Sequence, residues 1–200
     1  MFQRVYYINL AHRTDRREQI ESELDALKWR DIAVRVEAVH RPERGAIGCL
    51  LSHITALRMF LEEPAEITSA VIIEDDCVFR PDALTEINAF LAEHRPSDWD
   101  VLMLASNTWA EEMYKPYATK ILNAQTTAAY AITRPFAKCL LAYWERTVPL
   151  FDLKEVKYPQ CDMTWKVLQP QNRWYCLLPK AAKQRDGFSD IEGRFTNYGV

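Results

Sequence analysis

Strand-like segments alternate with helix-like segments through the first half of the chain, and this order strongly limits the possible folds. Segments rich in β-branched and aromatic residues occupy 4–10, 33–39 and 71–73, and apolar residues recur at helical spacing over 15–29 and 47–61. Parallel strands need a long crossover connection that is usually a helix. The alternation therefore predicts an α/β three-layer sandwich with a mostly parallel central sheet.

The second half of the chain adds elements of both kinds. The sequence predicts helices over about 81–94, 135–147 and 162–168, and strands over 100–104, 118–133 and 174–178. The later strand pairs indicate an antiparallel addition to the sheet. Residues 107–117 have no clean periodicity and are predicted to form a loop. Because neither a linker nor an internal repeat interrupts the pattern, we expect a single domain over 1–200.

Charge, apolar runs and cysteine spacing argue against several classes of protein. The formal net charge is −3, so the chain lacks the basic excess that would indicate a nucleic-acid partner. No apolar run reaches the about 18–20 residues of a membrane span, and none before the first strand is long enough for a signal peptide. The five cysteines contain no CxxC pair, which argues against a disulfide framework or a structural zinc site. We expect reduced thiols in a cytoplasmic protein.

Three consecutive carboxylates, Glu74, Asp75 and Asp76, directly follow the buried strand 71–73. In open α/β sheets, ligands bind beyond the carboxyl ends of the strands. Successive side chains of an extended backbone point to opposite sides, so Glu74 and Asp76 would share one side. Two oxygen ligands there suit Mg²⁺ or Mn²⁺. The alternative is a solvated acidic cluster at the start of the next helix, where one negative charge is favourable by about 0.3–1 kcal/mol.

Two further polar clusters lie where a helix begins. Arg13, Arg16 and Arg17 follow Asn9 at the end of the first strand, where they would bind a diphosphate or the edge of a nucleobase, or else pair with Glu18 or Glu21 of their own helix. Ser52 and His53 lie off the apolar stripe of the second helix, after Gly48. A glycine inside a helix costs about 1 kcal/mol, so it indicates a close backbone approach. The pair forms either a polar site or ordinary structural hydrogen bonds.

Several blocks of this sequence, in this order, resemble glycosyltransferase family 25. The blocks are VYYINLAHRTDRR, GAIGCLLSH, VIIEDDCVF, TTAAYAITRPFAKCLL, CDMTWK and KQRDGFSDIEG. The family includes bacterial lipooligosaccharide galactosyltransferases and collagen galactosyltransferase domains. The resemblance covers nearly the whole chain and implies a GT-A type, Rossmann-like fold, a UDP-sugar donor and Mn²⁺ (or Mg²⁺). It also implies a role in lipopolysaccharide biosynthesis.

The resemblance assigns roles to residues of these blocks. Asp76 would be the direct metal ligand, Glu74 would lie next to the metal or the donor ribose, and Asp75 would lie close by. The other residues that would hold the donor are Asn9, Leu10, Arg13, Arg16, Ser52 and His53. A third metal ligand would be Gln184, Asp186, Asp190 or water, because no histidine lies near the C-terminus.

The implied reaction is transfer of a hexose, galactose or glucose, to a hydroxyl of a glycan or glycosylated acceptor, with inversion. Our candidate for the base is Asp162, an isolated acid among apolar and aromatic residues; the alternative is that it caps a short helix. A lipid-linked acceptor would bring the protein into peripheral contact with a membrane. Trp109, Tyr114 and Tyr117 would form an acceptor platform or pack their segment down. The rival functions are a non-catalytic nucleotide-sugar or glycan-binding relative and a metal-dependent phosphohydrolase.

Overall fold

The structure, a computed structural model, describes residues 2–152, 160–189 and 193–196. Its strands are β1 (Val5–Asn9), β2 (Ala33–Glu37), β3 (Ser69–Glu74), β4 (Cys77–Phe79), β5 (Val101–Met103), β6 (Asn107–Lys115), β7 (Ala118–Gln125), β8 (Ala129–Thr133), β9 (Trp174–Leu177), β10 (Ala182–Gln184), β11 (Gly187–Ser189) and β12 (Arg194–Thr196). Its α-helices are α1 (Thr14–Ala26), α2 (Gly45–Glu62), α3 (Ala83–Glu93), α4 (Arg134–Asp152) and α5 (Cys161–Thr164). Short 3-10 helices cover Arg30–Ile32, Pro42–Arg44 and Trp165–Leu168. In the described part of the chain, none of the helices has both the length and the apolar character needed to cross a bilayer.

A central sheet of eight strands has the order β2-β1-β3-β8-β5-β9-β7-β6. β7 and β8 run opposite to the other six strands. The prediction of a mostly parallel sheet with an antiparallel addition is therefore confirmed. Two short pairs, β4 with β10 and β11 with β12, lie outside this sheet.

Helices cover both faces of the sheet, because its central strands are apolar on both sides. Val71 and Ile73 belong to a core that includes apolar residues of α1 and α3. Their neighbours Ala70 and Ile72 belong to a second core with α2 and α4. Alternate residues of one strand thus contribute to different cores, as a pleated strand requires. The three-layer arrangement predicted from the sequence is confirmed.

The prediction of a loop over 107–117 is wrong for most of that segment, because residues 107–115 form β6. Among the described residues, this strand pairs only with β7 at the edge of the sheet, with several shifts of register, and its central side chains are exposed. A strand with solvent on both faces needs no apolar alternation, so the sequence carries no strand period there. Tyr114 packs on Tyr175, with ring centroids 4.5 Å apart, whereas 58% of Trp109 is exposed.

The start of α2 lies against the backbone that follows β2. A β-carbon placed on Gly48 would lie 2.5 Å from the carbonyl oxygen of Val39, closer than a real β-carbon can come. The Ser52 hydroxyl donates to the Gly48 carbonyl (2.7 Å) and accepts from the Val39 N–H (2.8 Å). Glycine at 48 is therefore required by the close approach that the sequence indicated.

We expect Gly48→Ala to destabilise the protein by about 1–3 kcal/mol, because the added methyl group meets backbone that must shift. Without a steric conflict, alanine would instead stabilise the helix by up to about 1 kcal/mol. The sign of the change in the free energy of unfolding therefore shows whether the close approach is present. Urea unfolding of the variant measures it. Gly187→Ala is the matched control, because a β-carbon there meets nothing within 4 Å. A Gly48→Ala protein as stable as the wild type would contradict the close approach.

Candidate functional site

An open cleft of about 290 Å³ lies beyond the carboxyl ends of β1, β2 and β3. The first turns of α2 form one wall, and the chain from β10 to β11 forms another. The acidic residues at the end of β3 are part of its lining. This is the edge of the sheet at which ligands bind in open α/β folds. The cleft therefore brings together segments that are far apart in the sequence.

A network of hydrogen bonds joins the end of β1 to the carboxylates that follow β3. The buried Asn9 side-chain amide donates to Asp75 Oδ2 at 2.7 Å. Arg16 Nη1 lies 3.1 Å from Asp75 Oδ1 and 3.5 Å from Asp76 Oδ2. Its Nη2 donates to the Phe188 carbonyl at 2.6 Å. The cation that meets the acidic cluster in this structure is thus the Arg16 guanidinium, which also holds β11 against the site.

The Asp76 carboxylate is incompletely satisfied. Its Oδ2 accepts a long hydrogen bond of 3.4 Å from the Gln184 amide, whereas its buried Oδ1 has no hydrogen-bond partner among the described residues. Burial first, and then the negative charge of Glu74, raise the pKa of Asp76 to about 7. Arg16 supplies one positive charge against three carboxylates. A buried, unpartnered oxygen beside other carboxylates fits a hard divalent cation such as Mn²⁺ or Mg²⁺.

The Glu74 side chain is held by residues that do not line the cleft. Its Oε1 accepts from the Thr127 hydroxyl at 2.6 Å and lies 3.2 Å from His53 Nε2. The other ring nitrogen of the fully buried His53 lies 3.2 Å from the Tyr130 hydroxyl. Burial opposes ionisation of Glu74, but its hydrogen bonds with His53 and Thr127 help to bring its pKa below the usual value. His53 is therefore placed to orient Glu74 from beneath the cleft.

The remaining residues predicted to hold the donor lie in or beside the cleft. Leu10 and Ser52 line it, although the Ser52 hydroxyl already has two backbone partners. Arg13 pairs with Asp15 at 2.9 Å and lines an adjoining cavity of about 200 Å³, which also contains Asp76 and Asp186. Asp190 lies outside the described residues.

Some residues of the site were not found from the sequence. The roles of Thr127, Phe188 and Ser189 were missed, although all three lie in blocks that resemble the family, 126–141 and 183–193. Thr127 follows the positive-φ residue Thr126 in the turn between β7 and β8. The block does not reveal that the Thr127 side chain meets Glu74, because that contact depends on the pairing of β3 with β8.

Asp162 lies in the first turn of α5, beside the turn between β7 and β8. Its Oδ2 accepts from the Thr126 N–H at 3.1 Å. Burial raises the pKa of Asp162, the Thr126 hydrogen bond opposes that shift, and the charge of Glu74 adds to it. The alternative role as the N-cap is wrong, because Gln160 occupies that position. The carboxylate belongs to an element that contacts the cleft wall, since the adjacent Cys161 lies against Cys49.

The chain is similar to known proteins both in sequence and in fold. A family model described as glycosyltransferase family 25 (LPS biosynthesis protein) matches residues 41–154. A search of curated proteins finds no match. Among solved structures, a glycosyltransferase involved in the glycosylation of the major capsid of PBCV-1 has a TM-score of 0.56 at 10% identity, covering 87% of this chain and 81% of that one. A197 from STIV has a TM-score of 0.48 at 15% identity, covering 88% of this chain and 81% of that one. The likeness to the glycosyltransferase involved in capsid glycosylation supports the predicted GT-A type fold.

Proposed function

Since the chain belongs to glycosyltransferase family 25, we propose that it transfers a hexose, galactose or glucose, from a UDP-sugar to a hydroxyl group. The acceptor would be a glycan or a glycosylated molecule, as in lipopolysaccharide biosynthesis, and the transfer would invert the anomeric carbon. The protein would act in the cytoplasm, touching a membrane only through a lipid-linked acceptor. The observation that carries the proposal is the unpartnered, buried Asp76 oxygen in a cleft at the carboxyl ends of parallel strands.

The acidic cluster would hold Mn²⁺ or Mg²⁺ through Asp76 and Glu74, with Asp75 close by. When bound, such an ion stabilises the departing diphosphate as a Lewis acid. The chain's own residues prepare the cluster for that role. Asn9 fixes Asp75 through its 2.7 Å hydrogen bond, and Thr127 fixes Glu74 at 2.6 Å. His53 would therefore contribute to donor binding by orienting Glu74 rather than by touching the nucleotide.

The nucleotide would lie between the end of β1 and the start of α2. Leu10 offers apolar surface there, and Ser52 also lines the cleft. The guanidinium groups of Arg13 and Arg16 provide positive charge at the start of α1, where anions are favoured. Arg16 would then share its charge between Asp75 and the diphosphate. Leu10, Ser52 and Arg16 line the cleft, and Arg13 lines the adjoining cavity.

Asp162 is our candidate for the general base. As the acceptor oxygen attacks the anomeric carbon, the bond from that carbon to the diphosphate breaks, and the acceptor proton passes to the carboxylate. A raised pKa suits a base that must hold this proton briefly. The Thr126 N–H fixes one carboxylate oxygen, which would aim the other. One base and no covalent intermediate are sufficient for inversion.

Calorimetry with UDP and with UDP-galactose, each in Mn²⁺ and in EDTA, tests the donor site. We expect binding in Mn²⁺ and no detectable binding in EDTA, because three closely spaced carboxylates repel a diphosphate without a bridging cation. An acceptor panel then tests transfer, since UDP should be released only when an acceptor is present. Phosphate release without an acceptor would support the phosphohydrolase. Metal-dependent binding without any release would support the non-catalytic relative, and no binding at all would contradict the donor site.

A further inference from the structure

Two cysteines and a histidine converge beside the cleft. Cys49 and His53 lie one turn apart on α2, and Cys161 begins α5. The two Sγ atoms are 3.6 Å apart. Among the described residues, these are the only three His, Cys, Asp or Glu side chains whose ligand atoms all lie within 4.8 Å of one another. This group was not predicted from the sequence, because 112 positions separate the two cysteines.

The spacing of the sulfur atoms corresponds to two thiolates that share one metal ion. With metal–sulfur bonds of about 2.3 Å, two ligands of a tetrahedral Zn²⁺ site lie about 3.8 Å apart. A disulfide requires about 2.05 Å, so the 3.6 Å separation is that of two separate sulfur atoms. Thiolate and imidazole ligands select Zn²⁺ and similar ions, whereas the carboxylates at Asp76 suit Mn²⁺ and Mg²⁺. The two groups therefore differ in chemistry.

His53 and Cys161 have hydrogen-bond partners of the kind that surround metal ligands in known metal sites. A histidine that binds a metal through one nitrogen donates the other to a carboxylate or another acceptor. His53 has Glu74 3.2 Å from Nε2 and the Tyr130 hydroxyl 3.2 Å from Nδ1, so either nitrogen can bind a metal while the other keeps a partner. The Thr127 hydroxyl lies 3.3 Å from the Cys161 sulfur.

Charge and access also permit an ion at this position. Two thiolates and a neutral imidazole carry two negative charges, which a divalent cation neutralises, so the buried group would have no net charge. Cys161 and His53 are buried, but Cys49 is half-buried and lines the cleft. The cleft thus provides the access route for an ion.

We propose that Cys49, His53 and Cys161 form a site for Zn²⁺ or a similar soft divalent ion, with three protein ligands and a fourth position for water. Binding would form two metal–sulfur bonds and one metal–nitrogen bond, with release of the two thiol protons. The site is additional to the transferase activity proposed above. An ion there would tie α5 to α2. If Asp162 is the base, the ion would also fix the element that carries it.

Titration of the reduced, metal-free protein with Co²⁺ under argon tests the site without any sugar nucleotide. We expect one equivalent of Co²⁺ to produce the thiolate-to-metal charge-transfer absorption and the strong visible bands of a tetrahedral site, and Zn²⁺ to abolish both. Cys161→Ser and Cys49→Ser should each reduce the charge-transfer absorption by about half. Each should weaken Zn²⁺ binding by more than the about 10–100-fold that outer hydrogen-bond partners contribute.

Two control variants distinguish this site from an exposed thiol and from the Asp76 site. Cys139→Ser removes an exposed thiol of α4 and should leave the spectrum unchanged. Asp76→Asn should also leave it unchanged, so failure of the donor site and failure of the thiolate site give different results. Absence of charge-transfer absorption in the reduced wild type would overturn the proposal, whatever the folding of the variants. Retention of that absorption by the Cys49→Ser/Cys161→Ser double variant, or a disulfide between the two cysteines in the protein purified under reducing conditions, would also overturn it.

Discussion

Replacing Asp76 with asparagine is expected to abolish Mn²⁺-dependent binding of a UDP-sugar and to lower turnover by at least about 1000-fold, or about 4 kcal/mol. Asparagine keeps the size and one oxygen of the side chain but removes its negative charge. The unpartnered Oδ1 is the oxygen best placed to take an additional cation. Calorimetry with UDP in Mn²⁺, followed by UDP release with acceptor, measures both effects.

The same substitution should leave the fold intact. The pKa of Asp76 is raised to about 7 by burial and then by the charge of Glu74, so its ionised form is unfavourable in the folded, metal-free protein. That cost grows as pH rises from the unfolded pKa of about 4 toward 7. At pH 8 without metal, Asp76→Asn should therefore unfold no earlier than the wild type. Asp25→Asn, at an exposed position of α1, is the matched control for donor binding. Unchanged donor affinity in Asp76→Asn would remove this residue from the metal site.

Asp162→Asn is expected to keep donor binding and to lower turnover by about 100- to 10,000-fold, the range of general base catalysis. The asparagine oxygen can still accept from the Thr126 N–H, so the turn between β7 and β8 should persist. The amide cannot accept the acceptor proton. The expected pattern is a lower kcat with an unchanged dissociation constant for UDP in Mn²⁺.

Asp162→Ala distinguishes a base from a residue that only supports the turn. Alanine removes both the base and the Thr126 hydrogen bond, so a residue that acted only through the turn would be impaired by alanine and not by asparagine. Comparable loss of turnover in both variants, with the fold retained, supports the base. Turnover retained in Asp162→Asn would exclude that role, and the base would then have to be sought among other groups near the cleft.

Much of the fold could be predicted because apolar residues follow one clear pattern along most of the central strands and helices. Residues 71–73 are apolar on both faces, and the structure buries them between two helix layers. β6 escaped prediction because its central side chains face solvent, which leaves no alternation to detect. The three-residue strands β4, β10, β11 and β12 are too short for any periodic signal. β4 and β10 also form only because segments that are distant in the sequence meet.

The site was predictable where residues adjacent in the sequence carry the chemistry, and not where tertiary contacts do. The run Glu74–Asp76 was evident from three carboxylates after a buried strand. The partner of Arg16 was not evident: the arginine was expected to meet an anionic ligand or to pair with acidic residues of its own helix, whereas in the structure it pairs with Asp75 and Asp76. The role of His53 beneath Glu74, and its neighbours Cys49 and Cys161, depend on how α2 and α5 pack. No spacing in the sequence encodes that packing.

The hydrogen bond from Arg16 to the Phe188 carbonyl joins residues 172 positions apart, and the bond from Gln184 to Asp76 spans 108 positions. Contacts between such distant residues form late in folding, because a long loop must close before they are made. During synthesis, β1, β2 and β3 can pair before the segment from β10 to β11 leaves the ribosome. We therefore expect the cleft to be completed last, so that an unfinished chain would have a sheet but not the complete site in which a sugar nucleotide would bind.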